Sequence, residues 1–279
     1  MMSFREIKSL FLLFTILMYP TLSQAICSES PDRFNEWISD TREQALKNGV
    51  HKEIADEVFS NLQYREATIN ADRKMFSSPP LSFKEYLETI PYSTIIATGK
   101  QLKKKNEEAF RHLKRKYGVP AGVIISLWGL ESSFGTRMGK VPILSTLATL
   151  AYDCRRSKFF TEEFFAALYL VDKNIISPTS LGAMYGEIGQ FQFLPSNVKK
   201  FAVDADEDGQ ANLIESPTDA IVSAANFLSK NGWVRCKGYQ PTEANFATLK
   251  RWNSSTNYIK TVAYIAAHID GIKLNRKYD

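Results

Sequence analysis

The apolar positions of this chain fall mostly at helical spacing. Phe34, Trp37, Ile38 and Ala45 mark a helix over 34–47, and Gly49 stops it. A second short helix is predicted over 51–62. Ser77-Ser-Pro-Pro80 breaks the pattern. Helical spacing resumes over 83–87 and again over 93–117. Gly118-Val-Pro120 opens the next element, with Pro120 suited to a first helical turn. The stretch Val123-Ile-Ile-Ser-Leu-Trp-Gly-Leu-Glu-Ser-Ser-Phe-Gly135 begins with a helix that is apolar on every side, the signature of a buried helix. Further apolar helices are expected over 144–152 and 161–171. Residues 177–193 are rich in Gly, Met and aromatics and read as loop with a short strand. Later helices should begin at Pro195, run over 219–231 with Gly232 at the end, and run from about 257 to 274. There is no internal repeat. The fold class is mainly α: a helix-rich core around a cleft, with small β and loop inserts.

Composition alters this picture at one place, the N-terminus. The 279 residues are 44% hydrophobic and 23% charged, which is ordinary for a globular chain. Arg5 and Lys8, however, precede the apolar run Leu10–Met18, and Ser23-Gln-Ala25 follows. A basic start, a short apolar core and small residues read as a cleavable export signal over 1–25. The run is too short to span a bilayer comfortably. Ile26 stands before Cys27, where a lipoprotein signal wants a small residue. The expected location is therefore periplasmic, with no membrane span after cleavage.

The net charge of +5 is mildly basic and suits an acidic polymer without identifying one. No nucleic-acid partner is expected. The lysines and arginines between Lys100 and Lys116 read as a solvated helix face, because Glu107 and Glu108 interleave with them. In an exported protein two of Cys27, Cys154 and Cys236 can pair. Cys154 with Cys236 is the expected pair, since both lie in the better-organised part of the chain.

Four constellations carry candidate chemistry. Glu131 ends the apolar helix; apolar walls disfavour its charged form, and a Glu that keeps its proton near neutrality can act as a general acid. The other reading is a core Glu satisfied by the backbone. Gly186-Glu-Ile-Gly-Gln-Phe-Gln-Phe-Leu-Pro-Ser196 alternates amides and rings, which on a strand would face opposite sides. Amides beside rings suit a sugar cleft, and an ordinary edge strand and turn would look the same. Asp204-Ala-Asp-Glu-Asp-Gly-Gln-Ala-Asn-Leu-Ile-Glu215 places acids or amides at loop positions 1, 3, 5, 9 and 12, with Gly at 6. That is the pattern of an EF-hand-like Ca²⁺ loop. Asp219 is placed to cap the following helix or to add a ligand. Only one such loop occurs, so a structural clamp is expected rather than a sensor. Finally, Leu249-Lys-Arg-Trp-Asn-Ser-Ser-Thr-Asn-Tyr258 reads as a capped helix start.

In this order, the pieces resemble the lytic murein transglycosylase family of the MltB type, from about Phe34 to Ile269. The marks are Tyr117-Gly-Val-Pro120, Gly129-Leu-Glu-Ser-Ser-Phe-Gly135, Met138-Gly-Lys140, Leu147-Ala-Thr-Leu150, Gly189-Gln-Phe-Gln-Phe-Leu-Pro-Ser196, the acidic loop and Arg251-Trp-Asn-Ser-Ser-Thr256. The resemblance implies a lysozyme-like core over 117–275, carrying the loop 204–215, behind an N-terminal helical part over 26–116. It implies cleavage of the MurNAc–GlcNAc β-1,4 bond of peptidoglycan glycan strands with 1,6-anhydro-MurNAc ends. Glu131 would be the single catalytic residue, acid first and then base.

Arg155, Arg156, Gln192, Phe193, Asn253 and Tyr258 match substrate-cleft positions of the family. Asn253 would orient the reacting groups, and the two arginines would hold the acidic peptide stem. Asp204, Asp206, Asp208, Gln210 (through its carbonyl), Glu215 and Asp219 match the metal loop, with Ca²⁺ structural and no organic cofactor. Complexes with cell-wall enzymes or a secretion machine are compatible with the resemblance. Two positions depart from it. Glu187 replaces a small residue of some relatives and is expected on a surface turn; facing the cleft, it would make hydrolysis conceivable. Trp252 replaces a Tyr, keeping the ring and losing the hydroxyl. The alternatives are a muramidase-type hydrolase and a non-catalytic peptidoglycan-binding scaffold.

Overall fold

In the computed structural model, residues 27–75, 79 and 81–278 are described. The expected signal segment lies outside them, and so does most of the break at 77–80. None of the described helices is long and apolar enough to cross a membrane. The described chain is helical, with one two-stranded sheet.

The centre is α7 (Ala121–Ser132), buried on all faces except near its C-terminal end. It packs against α5 (Tyr92–Lys105), α6 (Glu107–Tyr117), α11 (Pro217–Lys230) and α13 (Thr256–Asp270). Pro120 supplies no side-chain cap, and Asp270 of α13 does that work instead by accepting the Gly122 amide at 3.0 Å. Asp270 is itself held by Lys103 at 2.7 Å and by the Tyr239 hydroxyl at 3.0 Å. A Cβ on Gly122 would lie 2.5 Å from the Ala266 carbonyl, so only glycine lets α7 and α13 approach this closely.

A second helical group flanks this centre. Helices α8 (Ile143–Tyr152) and α9 (Ser157–Asp172) pack together, with α3 (Glu66–Met75) against α8 and α10 (Pro195–Phe201) against α9. Helices α1 (Phe34–Lys47) and α2 (Lys52–Asn61) pack on each other, and their Phe34, Trp37 and Phe59 join Tyr64, Tyr152 and Phe164 in an aromatic cluster. The strands β1 (Val141–Pro142) and β2 (Leu181–Gly182) pair antiparallel. The remaining helices are α4 (Phe83–Glu88), which carries a full capping box from Ser82 and Glu85, and α12 (Phe246–Trp252).

Three expectations change. The single helix over 93–117 is two helices, broken at Asn106. Lys103, Lys104 and Lys105 lie in the last turn of α5, and Glu107 and Glu108 in the first turn of α6. Cations at a C-terminus and acids at an N-terminus complement two helix dipoles, so this charge order is a stop and a start. Helix α3 was not predicted. Its buried positions include Thr68 and Asp72, so polar residues stand where periodicity looks for apolar ones.

The disulfide is Cys27–Cys154, not Cys154–Cys236, and Cys236 is free and exposed. The Ser28 amide donates to the Tyr152 carbonyl, and the Tyr152 hydroxyl donates to the Ser30 carbonyl. These bonds lay the N-terminal segment along the end of α8 and bring Cys27 to Cys154.

Candidate active site

Glu131 sits one residue from the end of α7, half-buried. The chain then takes three consecutive left-handed residues, Ser133, Phe134 and Gly135. Left-handed backbone costs energy at non-glycine residues and persists where neighbours hold it. Here the Ser132 hydroxyl donates to the Gln190 carbonyl at 2.6 Å and accepts the Gly135 amide at 2.8 Å. The turn carrying the acid is thus fastened to the loop around Gln190.

Two donors converge on one oxygen of the acid. The Trp252 indole N–H donates to Glu131 Oε1 at 2.8 Å, and the Tyr258 hydroxyl makes a short bond to the same atom. Trp252 ends α12 and Tyr258 begins α13, so the capped helix start read in the sequence is the device that delivers both. With Oε1 taken, Oε2 makes no hydrogen bond among the described residues.

Burial pushes the Glu131 carboxyl up to about 7, the two donors pull it down, and the charge of Glu187 raises it. Burial, with the charge of Glu131 next, holds the Tyr258 phenol far above its ordinary value, so it stays a donor. Tyr86, on α4, is raised by its own burial and by the charge of Glu131. Neither Tyr86 nor the bond from Trp252 was foreseen. The Trp substitution kept a donor where the sequence reading saw a lost hydroxyl.

The glycine-rich loop is not an alternating strand. It is a tight hairpin in which Ile188 and Phe193 form an antiparallel bridge and Gln192 adopts a positive φ. Gln190 is the buried amide: it accepts the Trp128 indole N–H at 3.0 Å and donates to the Ile214 carbonyl at 3.1 Å. Gln192 is half-buried and donates to the Gly189 carbonyl at 2.6 Å. Phe193 belongs to the core, not to the cleft surface; it is buried against Phe227 and Trp252. Its role is to support the Trp252 ring from behind. Asn253 uses its amide oxygen to accept the Ser255 amide at 2.9 Å, so its direct contact is with the start of α13 rather than with Glu131.

Glu187 is not on an exposed surface turn. It is half-buried, its carboxylate accepts the Tyr185 amide at 2.8 Å, and burial raises its pKa. Arg155 and Arg156 both pair with the buried Asp72 of α3. Arg156 also lies over the Phe160 and Tyr185 rings, at 4.7 and 5.2 Å. With Lys158 and Phe159 the two arginines line a shallow depression of about 440 Å³.

The acidic loop lies apart from these groups in sequence, between α10 and α11. Oxygens of Asp204, Asp206 and Asp219 all lie within 4.8 Å of one another. Asp219 is buried and accepts backbone amides of Ala205, Asp206 and Asn212. Asp204 Oδ1 is buried without a hydrogen-bond partner. Asp208 and Glu215 lie outside the cluster: Asp208 accepts the Gln210 amide, and Glu215 is exposed. The Gln210 side chain donates to the Asn174 carbonyl.

These features carry a family membership. The transglycosylase SLT domain profile matches residues 33–244, and the chain belongs to that family. It is similar to membrane-bound lytic murein transglycosylase B of Escherichia coli (strain K12), with 39% identity over 131 residues; the match covers 46% of this chain and 36% of that protein, little more than a third of its length. Among solved structures it is similar to SltB3 from Pseudomonas aeruginosa in complex with NAG-NAM-pentapeptide, at a TM-score of 0.78 and 25% identity over 85% of this chain and 80% of that one. The Escherichia coli lytic transglycosylase Slt35 in complex with calcium shares the fold, at a TM-score of 0.72 and 23% identity over 88% of this chain and 96% of that one.

Proposed function

We propose that the protein is a peptidoglycan lytic transglycosylase. It cleaves the MurNAc–GlcNAc β-1,4 bond and leaves 1,6-anhydro-MurNAc ends. The observation that carries this reading is Glu131: a carboxyl held at about 7, with both donors on Oε1. Such a group is protonated at the start of a turnover and donates from Oε2 to the glycosidic oxygen. The C1–O bond breaks, and the proton stays with the departing 4-hydroxyl. Glu131 is then a carboxylate, stabilised by the Trp252 and Tyr258 donors. It takes the proton from the C6 hydroxyl as O6 closes onto C1. The acid is regenerated and no water is consumed, so one carboxyl suffices where hydrolases need two. The relatives support the substrate class: SltB3 is also known bound to NAG-anhNAM-pentapeptide.

Other parts of the reading follow. Arg155 and Arg156, beside Lys158, would face the acidic peptide stem, and Gln192 and Tyr258 would line the sugar cleft. Ca²⁺ fits the acidic loop: three hard carboxylates converge, and the orphaned Asp204 oxygen lacks only a cation. Asp204, Asp206 and Asp219 would hold it, and the ion would clamp the loop without entering the chemistry. The same reading makes 1–25 an export signal, places the protein in the periplasm, and divides the rest into a helical part over 26–116 and a core over 117–275. A muramidase is the second reading, favoured by Glu187, a half-buried second carboxyl whose charge acts on Glu131.

Mass spectrometry of the fragments released from purified sacculi separates the readings. The expected fragments are lighter by one water and resist borohydride reduction, and Glu131→Gln releases none. Reducible ends from the native protein would make it a hydrolase.

A further inference from the structure

Two adjacent residues of α3 reach the loop between α8 and α9. Asp72 gives one carboxylate oxygen to each of two guanidinium groups: Oδ2 pairs with Arg155 Nη2, and Oδ1 with Arg156 Nη2. Arg73, the next residue, donates from Nη2 to Asp153 Oδ2 at 2.8 Å. The other oxygen of Asp153 accepts the Arg155 amide at 2.9 Å. The pairing is crosswise, an acid and a base of α3 against bases and an acid of the loop. Both aspartates are buried, whereas the Arg155 and Arg156 side chains are 34% and 35% exposed.

Two consecutive arginines would not hold this arrangement unaided. Like charges at neighbouring positions repel, and long side chains lose rotamer freedom when they are fixed. One carboxylate shared between them offsets the repulsion and sets the spacing of the two heads. The loop beneath them is anchored as well. Cys154 is bridged to Cys27, and the Ser157 hydroxyl donates to the Ala151 carbonyl at 2.6 Å. Arg156 is held further by the Phe160 and Tyr185 rings. A guanidinium carries five N–H donors in a fixed fork, so pairing with Asp72 does not exhaust it. Arg155, Arg156 and Lys158 line the depression with Glu162 as its one acid, and the positive excess remains when Asp72 is counted. The ligand class that suits it is a carboxylate-bearing chain, which on a glycan strand is the acidic peptide stem.

We propose that Asp72 is a positioning residue that sets substrate preference: by holding the Arg155 and Arg156 heads side by side, it makes the protein favour glycan strands that carry acidic peptide stems over bare strands. This rests on the transglycosylase reading and on the arginine pair facing the stem. Asp72 itself is buried and does not touch substrate.

The test is kcat and KM on two soluble substrates, glycan strands with their peptide stems and the same strands after an amidase has removed them. The proteins compared are the native chain, Asp72→Asn and Asp72→Glu. Asparagine keeps the shape and removes the charge. The KM of Asp72→Asn for peptide-bearing strands should rise roughly tenfold, the worth of one misplaced hydrogen bond to a charged group. Its kcat, and both constants on bare strands, should stay unchanged, the pattern of lost uniform binding. Asp72→Glu, which keeps a carboxylate, should restore most of the preference. A fall in kcat on both substrates alike would make Asp72 structural only and overturn the inference, as would a preference that survives Asp72→Asn. Should Asp72→Asn not fold, Arg155→Lys combined with Arg156→Lys keeps two charges but loses the planar forks that can serve Asp72 and a ligand together; a preference surviving there overturns the inference equally. A native protein that releases no anhydro ends defeats the transglycosylase reading, and one that cleaves both strands with equal KM defeats the stem reading of the arginine pair. A native preference that the variants retain defeats this inference alone.

Discussion

Glu131 and the acids of 204–219 are the same functional group in opposite settings. Glu131 stands beside aromatic rings and two neutral donors, and it keeps its proton to about 7. Asp204, Asp206 and Asp219 crowd within 4.8 Å of one another, with Asp206 exposed and Asp219 fed by three backbone amides. The first arrangement disfavours charge and yields an acid. The second gathers charge and calls for a cation. What a carboxyl does is therefore decided by its neighbours, and the two regions can be tested against each other.

The sharpest break is Glu131→Gln. It should lower the rate by about 10²–10⁴-fold, the usual worth of a positioned general acid–base, while melting curves in Ca²⁺ stay cooperative. Withdrawing Ca²⁺ should do the reverse, costing stability before chemistry. At a hundredfold excess over Kd, a native-state ligand contributes about 2.7 kcal/mol, so chelation lowers Tm and Asp204→Asn abolishes that response. An unchanged Tm on chelation would refute the clamp. Tyr258→Phe comes next. Losing a hydrogen bond to a charged group costs about 1.5–3 kcal/mol, felt in the step where Glu131 is anionic. Because that bond lowers the Glu131 pKa, its loss moves the alkaline limb of the rate profile upward. The smallest effect is on stability against pH. The folded state holds a proton on Glu131 that the unfolded chain releases near 4.5, so stability falls as pH rises from there to about 7. Glu131→Gln removes this fall and should be more stable than the native protein above pH 7, by on the order of 2 kcal/mol, measured by denaturant melts at two pH values.

The helices that build the core were legible because their buried faces are apolar: Phe34 with Trp37, the run from Val123, and Leu144 to Tyr152 needed only periodicity. Glu131 was legible for the same reason, as the one charge at the end of a helix without a polar face. Helix α3 was hidden because two of its inward residues, Thr68 and Asp72, are polar, and Asp72 is satisfied by Arg155 and Arg156, far along the chain. The partition of the two glutamines escaped as well, because Gln190 and Gln192 are told apart by a turn and not by alternation. Glu187 looked like a surface residue since nothing local says that Arg156, 31 positions earlier, will stand over the Tyr185 ring and help bury this loop. The disulfide failed for a related reason: Cys27 reaches Cys154 through bonds to the end of α8 that no spacing encodes.

That disulfide also gives the polypeptide a topology. It closes a covalent ring from Cys27 to Cys154, and Glu131 lies within it while Trp252, Tyr258 and the acidic loop lie on the tail that leaves it. A protease cut anywhere between Ser28 and Asp153 would open the ring without dividing the molecule. For a cut between Glu131 and Asp153, the acid would stay joined to its two donors through the sulfur bridge. The same cut after reduction would release a fragment, as would a single cut in the tail under any redox condition, so the bridge guards one half of the chain against scission and leaves the other to its fold.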